Sequence, residues 1–122
     1  MMEPAIIKQD LSKEFSTPER CDIVELSNSS ADESLSIARA RVEPGVTTML
    51  HCLEGVDERY IIVQGRGLME IGDLTVTEVS PGDVVLIPGG TRQRITNCGD
   101  VDLIFYCVCT PQFRTHAYRE LE

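Results

Sequence analysis

Hydrophobic positions along this chain fall in short runs, without the sustained 3.6-residue period of amphipathic helices. From Ile23 onward the runs are rich in Val, Ile, Leu and Thr. Gly, Pro, Asp or Asn interrupts them about every 8 to 12 residues, which is the rhythm of strands and turns. The pattern predicts strands over Asp22 to Leu26, Leu35 to Val42, Thr47 to His51, Arg59 to Gln64 and Leu68 to Ile71. It predicts further strands over Leu74 to Val79, Asp83 to Ile87, Arg92 to Thr96 and Val101 to Thr110. Turn signals separate them, among them Glu43-Pro44-Gly45, Pro81-Gly82-Asp83 and Pro88-Gly89-Gly90, and Gly72-Asp73 marks a hairpin. A helical period over three turns fits only the polar C-terminus, around Arg114 to Glu122. Many short strands with no helix between them predict an all-β sandwich or barrel. Residues 1–20 read as an N-terminal arm of unassigned pairing, 21–112 as the barrel and 113–122 as a C-terminal tail.

With 122 residues and 13.5 kDa the chain has room for one domain. A domain of this size buries roughly two thirds of its unfolded surface, enough for a core without staples. The net charge of −9 repels phosphate backbones and anionic lipid, so neither nucleic acid nor membrane is expected as a partner. No apolar run approaches the ~20 residues of a membrane span. Met1-Met2-Glu3-Pro4 lacks the basic and apolar regions of an export signal, so a cytoplasmic location is expected. The cysteines, Cys21, Cys52, Cys98, Cys107 and Cys109, are then expected to stay reduced and to behave as small hydrophobes. Cys107-Val108-Cys109 is a C-x-C, not the C-x-x-C of redox and zinc modules. The two histidines are His51 and His116, and the second, in the polar tail, reads as a surface residue.

Two windows concentrate the chemistry. One runs from Gly45 through His51, Leu53 and Glu58 to Gly65; the other runs from Gly82 through Pro88, Gly90 and Gln93 to Asn97. Together they resemble the two motifs of the cupin superfamily. Those motifs are Gly, five residues, His-x-His, three or four residues, Glu, six residues, Gly, and then Gly, five residues, Pro-x-Gly, two residues, His, three residues, Asn. Every spacing fits. Leu53 stands where the second histidine is expected, and Gln93 where the third is. The resemblance covers roughly residues 35 to 110 and implies a double-stranded β-helix (jelly-roll-like) barrel with the motif residues lining an interior pocket. Glu58-Arg59-Tyr60, Gln93 to Asn97 and the Cys109-Thr-Pro-Gln-Phe113 tail are similar to a group of small single-domain bacterial cupins without a generally assigned activity.

Strand periodicity gives the same residues a physical reading. Alternate side chains share a face, so His51 lies with Met49 and Leu53, and Glu58 with Tyr60 and Ile62. The resemblance implies a divalent transition metal, Mn, Fe, Ni or Zn, held here by His51, Glu58 and the amide oxygen of Gln93. A neutral amide is a weak ligand and Leu53 offers no donor atom, so such a set holds metal less tightly than three histidines and a glutamate. Cys107 and Cys109 share parity, so both can face inward. Equally, His51 can be a hydrogen-bonded core residue, Glu58 part of a solvated charged loop, and the glycines ordinary turn residues.

Two functions are consistent with this reading. One is a metal-dependent isomerase, cyclase or lyase acting on a small metabolite, with His51 and Glu58 moving the proton and Tyr60 as auxiliary donor. Dioxygenase chemistry ranks lower, because the usual iron site takes two histidines. The other is a metal-free, non-catalytic binder of a sugar-like or acidic ligand. A homodimer is expected, with Ile6 and Ile7 of the arm crossing to the partner subunit.

Overall fold

The computed structural model describes residues 2–122. In chain order its strands are β1 (Phe15–Ser16), β2 (Asp22–Ser27), β3 (Ser36–Val42), β4 (His51–Leu53), β5 (Asp57–Gln64) and β6 (Gly67–Ile71). They continue with β7 (Thr77–Val79), β8 (Val84–Ile87), β9 (Gln93–Asn97), β10 (Leu103–Thr110) and β11 (Tyr118–Glu120). One sheet has the order β1-β2-β3-β10-β5-β8 and the other β11-β4-β9-β6-β7. All strand pairings among the described residues are antiparallel. The two sheets form a double-stranded β-helix barrel, as the periodicity and the motifs implied. No helix among the described residues is long and apolar enough to cross a membrane.

Period-two alternation sorts the side chains. On β8, Val85 and Ile87 are buried while Val84 and Leu86 face outward. Ala40, Val42, Ile62, Leu103 and Phe105 from the larger sheet meet Met69 and Ile95 from the smaller one in a single core cluster. Each large side chain in it contributes about 1.5–3 kcal/mol of burial. A second cluster, Leu53, Val56, Cys109 and Ala117, closes the other end and is flanked by Phe113 and Tyr118.

Two motif positions turn out to hold the backbone. Gly65 follows β5 with φ of 84°, and a Cβ there would lie 2.8 Å from the Asp102 carbonyl oxygen, so only glycine fits. Asn97 donates from Nδ2 to the carbonyls of Val42 and Val101 at 2.9 and 2.8 Å, and its Oδ1 accepts from Gly99 N at 2.9 Å.

The ends of the chain differ from expectation. The C-terminus is not a helix: one 3-10 turn, Thr115–Ala117, leads into β11, which pairs antiparallel with β4. A short strand such as β4 carries backbone donors and acceptors that need partners, and β11 supplies them along one edge. The arm is also partly woven in. β1 pairs with β2, and Glu14 pairs with Arg39 at 3.2 Å and Arg41 at 2.7 Å. Residues 2–10 form no regular element and are exposed. The Gly72-Asp73 turn forms, closed by Leu74 N donating to Ile71 O at 3.0 Å. The strand predicted after it shortens to β7, because Leu74 and Val76 project into solvent with nothing to pack against. The Thr47 to His51 run likewise makes an isolated bridge at Thr47, and the regular strand begins only at His51.

Candidate functional site

The barrel interior brings His51, Glu58, Tyr60 and Gln93 together. His51 sits at the start of β4, directly opposite Gln93 on β9. Alternation on β5 turns Glu58, Tyr60 and Ile62 inward, and β10 places Cys109 opposite Glu58 and Cys107 opposite Tyr60. Both cysteines line the central cavity, as their shared parity allowed, and Cys21 joins them.

Gln93 is completely buried and bonded at both ends of its amide. Tyr60 donates its hydroxyl to Gln93 Oε1 at 2.6 Å, and Gln93 Nε2 donates to Glu58 Oε1 at 2.9 Å. Ionised Glu58 can only accept, which fixes the NH2 end of the amide toward it. The Cys109 thiol reaches Glu58 Oε2 at 3.7 Å, a long sulfur contact. His51 Nδ1 lies 2.7 Å from the Met49 carbonyl, which can only accept, so in the neutral ring the proton sits on Nδ1 and Nε2 carries a lone pair. Its Nε2 points toward Glu19 Oε2 at 3.9 Å, beyond hydrogen-bond range. The ring stacks on Tyr118 with centroids 5.0 Å apart.

His51, Glu58, Tyr60 and the cysteines line a cavity of about 350 Å³, with Gln93 buried and outside its lining; the acidic and imidazole lining is Glu19, Glu25, Glu58 and His51. Among the described residues, no lysine or arginine lines it. Burial raises the Glu58 carboxyl above its usual range, against the opposing pull of the Gln93 hydrogen bond and of His51. Burial raises Glu19 as well, opposed by His51. Desolvation, with the Glu58 charge second, holds Tyr60 well above its ordinary value and pushes the Cys107 and Cys109 thiols up. The phenol and thiols therefore remain neutral donors.

A transition-metal centre needs several free nitrogen, sulfur or carboxylate donors aimed at one point. Gln93 Oε1 already accepts the Tyr60 hydroxyl, Glu58 Oε1 already accepts the amide, and Leu53 is an apolar member of the second core cluster. Of the motif residues only His51 Nε2, Glu58 Oε2 and one lone pair on Oε1 remain, a single strong nitrogen ligand among weaker oxygens, and burial keeps the neighbouring Cys107 and Cys109 thiols protonated. No group of three His, Cys, Asp or Glu side chains among the described residues is spaced to hold an ion. The residues present do not fit the metal that the fold family implies.

Sequence reasoning missed Glu19 and Tyr118. Glu19 follows the turn-like Ser16-Thr17-Pro18 in an arm of unassigned pairing, and nothing local tells that its carboxylate enters the barrel. Tyr118 left a faint sign, an Ala117-Tyr118 apolar step in an otherwise polar tail.

A double-stranded β-helix barrel with its motif side chains converging inside defines a class, and comparison with known proteins agrees. The Cupin domain family matches residues 38–109, and the chain belongs to it. It is 40% identical over 78 residues to an uncharacterized protein of Methanocaldococcus jannaschii, covering 64% of this chain and 62% of that one. It is 35% identical over 71 residues to an oxalate-binding protein of Thermotoga maritima, covering 58% of each. The matches thus span about three fifths of the length of these relatives. Among solved structures, an uncharacterized conserved protein with a double-stranded β-helix domain from Klebsiella pneumoniae superposes with a TM-score of 0.78 at 15% identity. That superposition covers 98% of this chain and 99% of the other.

Proposed function

We propose that this protein is a small-molecule cupin that works without a metal ion, an isomerase-, cyclase- or lyase-type enzyme in which Glu58 and His51 move a proton. The observation that carries this reading is the Tyr60–Gln93–Glu58 hydrogen-bonded chain, which commits one expected ligand atom and orients the carboxyl. A carboxyl raised by burial is a stronger base than a free one, suited to accept a proton from one substrate atom and return it to another. His51 Nε2, free of a hydrogen bond, is the second proton carrier, and Tyr60 acts through Gln93 as a positioning residue. Elemental analysis of tag-free protein, before and after dialysis against manganese, iron, nickel and zinc, tests the metal-free half. Metal well below one ion per chain is expected; one retained ion, lost in His51→Ala, overturns it. Deuterium incorporation from solvent into a panel of small hydroxy-carbonyl and amino-carbonyl compounds, abolished in Glu58→Gln, tests turnover. No incorporation in any of them leaves a binding protein without turnover.

We also propose that two copies pair through the outer face of the larger sheet. Ile61 and Val63 on β5 lie beside Val84 and Leu86 on β8, and all four are exposed. Tyr106 on β10 continues this face, opposite Ile61. Ile7 of the arm rims the same surface beside Tyr106, Leu26 and Ile37. An apolar strip this continuous is characteristic of an interface.

A further inference from the structure

We propose that the ligand of this cavity is a primary amine, bound as its ammonium ion with an aromatic or apolar body; this rests on the cavity being the small-molecule site. Three carboxylates, Glu19, Glu25 and Glu58, line the space, and no lysine or arginine answers them. A dicarboxylate such as the one bound by the Thermotoga maritima relative would meet like charges here with no cation between them. A cationic head group removes that mismatch, and in a water-poor interior each charge-assisted contact is strong.

The acceptors match an ammonium in number. Glu58 Oε2 has only the long Cys109 thiol contact, and the Glu19 carboxyl, beside the Cys21 thiol, keeps its Oε2 3.9 Å from His51 Nε2. His51 is 5% exposed, and its Nε2 lone pair is without a donor because the ring proton is spent on the Met49 carbonyl. The Glu19 and Glu58 carboxylates and the His51 imidazole line one cavity, with Glu19 Oε2 and His51 Nε2 3.9 Å apart, so an –NH3⁺ placed among them meets acceptors for its N–H groups. An anion offers none of these donors, and a neutral alcohol offers one.

The remaining wall suits an apolar body. Phe15, Phe105, Phe113 and Tyr118 line the cavity, and the Tyr118 ring already stacks on His51. Aromatic faces near a cation add attraction, and aromatic edges pack the rest of the molecule. A volume of about 350 Å³ is at the lower end of ligand pockets, which run from about 300 to 1,000 Å³.

The test is calorimetric titration of the full chain with three probes of one shape: 2-phenylethylamine, 2-phenylethanol and 3-phenylpropionate. The amine is expected to bind about tenfold or more tighter than the alcohol, with no heat from the carboxylate. In Glu58→Gln and in Glu19→Gln the amine is expected to weaken about tenfold while the alcohol is unchanged. Equal or tighter binding of the alcohol or carboxylate overturns the ligand class and leaves the cavity as the binding site. Binding of any probe that survives Ala38→Trp, which fills the cavity wall, overturns the cavity itself. No binding of any probe at millimolar concentration overturns both.

Discussion

The phenol of Tyr60 and the amide of Gln93 tie the two sheets together across the barrel interior. They are 33 residues apart in sequence, on β5 and β9, and the hydroxyl meets Oε1 at 2.6 Å with both groups buried. Tyr60→Phe keeps the ring against Phe105 but leaves Gln93 Oε1 without its donor. The expected cost is about 1–3 kcal/mol. A urea denaturation series reads it as a lower midpoint at unchanged slope; an unchanged midpoint would mean that the amide has found another donor.

Restoring the missing nitrogen ligands should convert the pocket. Leu53→His with Gln93→His places imidazoles at the two departures from the family pattern, with His51 and Glu58 already present. The double variant is expected to retain about one manganese or zinc ion per chain after dialysis, where the natural protein retains none. Elemental analysis decides it. A double variant that folds yet holds no ion would show that the backbone at these two positions no longer aims side chains at a common point.

Glu58 sets a pH dependence of stability. Burial raises its carboxyl above the unfolded value, so in the interval above the ordinary carboxylate pKa the native state binds more protons than the unfolded one. Stability from this group is therefore highest at acidic pH and declines as pH climbs through the raised value. Glu14 runs the other way, since its bonds to Arg41 hold it low and its contribution fades as pH falls. Glu58→Gln removes only the first effect. Chemical denaturation between pH 4 and 8 should show a variant that gains stability relative to the natural protein as pH rises. A constant difference across that range would count against a buried, raised carboxyl.

Asn97 is a structural anchor and not a ligand. Its side chain satisfies the carbonyls of Val42 and Val101 and the Gly99 amide from a buried position. Asn97→Ala strands those groups and is expected to cost about 2–4 kcal/mol, within the range for broken buried networks. Thermal unfolding measures it, and ligand affinity of whatever remains folded should be unchanged.

The barrel was legible because its information is local. Alternation such as Val84 to Ile87, turn chemistry such as Pro81-Gly82-Asp83 and fixed spacings between glycines all survive in one dimension. His51, Glu58, Tyr60 and Gln93 were legible for the same reason, as parity on predicted strands places them on inner faces. What those groups do to one another was not. The bonding of Gln93 at both ends depends on which strands β5 and β9 meet across the interior. Glu19 and Tyr118 were hidden by sequence distance, since 32 and 67 positions separate them from His51. The tail looked polar because β11 is an edge strand, where one face is wet and side chains carry little pattern.

The outer face of the larger sheet carries an exposed apolar strip. Leu86 is 67% exposed and Val84 58%, beside Ile61 and Val63, on a strand at the edge of the sheet. Burying such side chains against a second copy stabilises a dimer by about 25 cal/mol per Å² of apolar surface removed from water. Leu86→Asp introduces a charge that must be desolvated for the faces to meet, and its effect on the isolated barrel is small because the side chain is already in solvent. Sedimentation equilibrium is expected to give a dimer for the natural protein and a monomer for Leu86→Asp, with unchanged circular dichroism. Deletion of residues 2–10 should weaken the dimer if the arm carrying Ile6 and Ile7 reaches across. A natural protein that sediments as a monomer at micromolar concentration would remove the interface and leave the apolar strip without a partner.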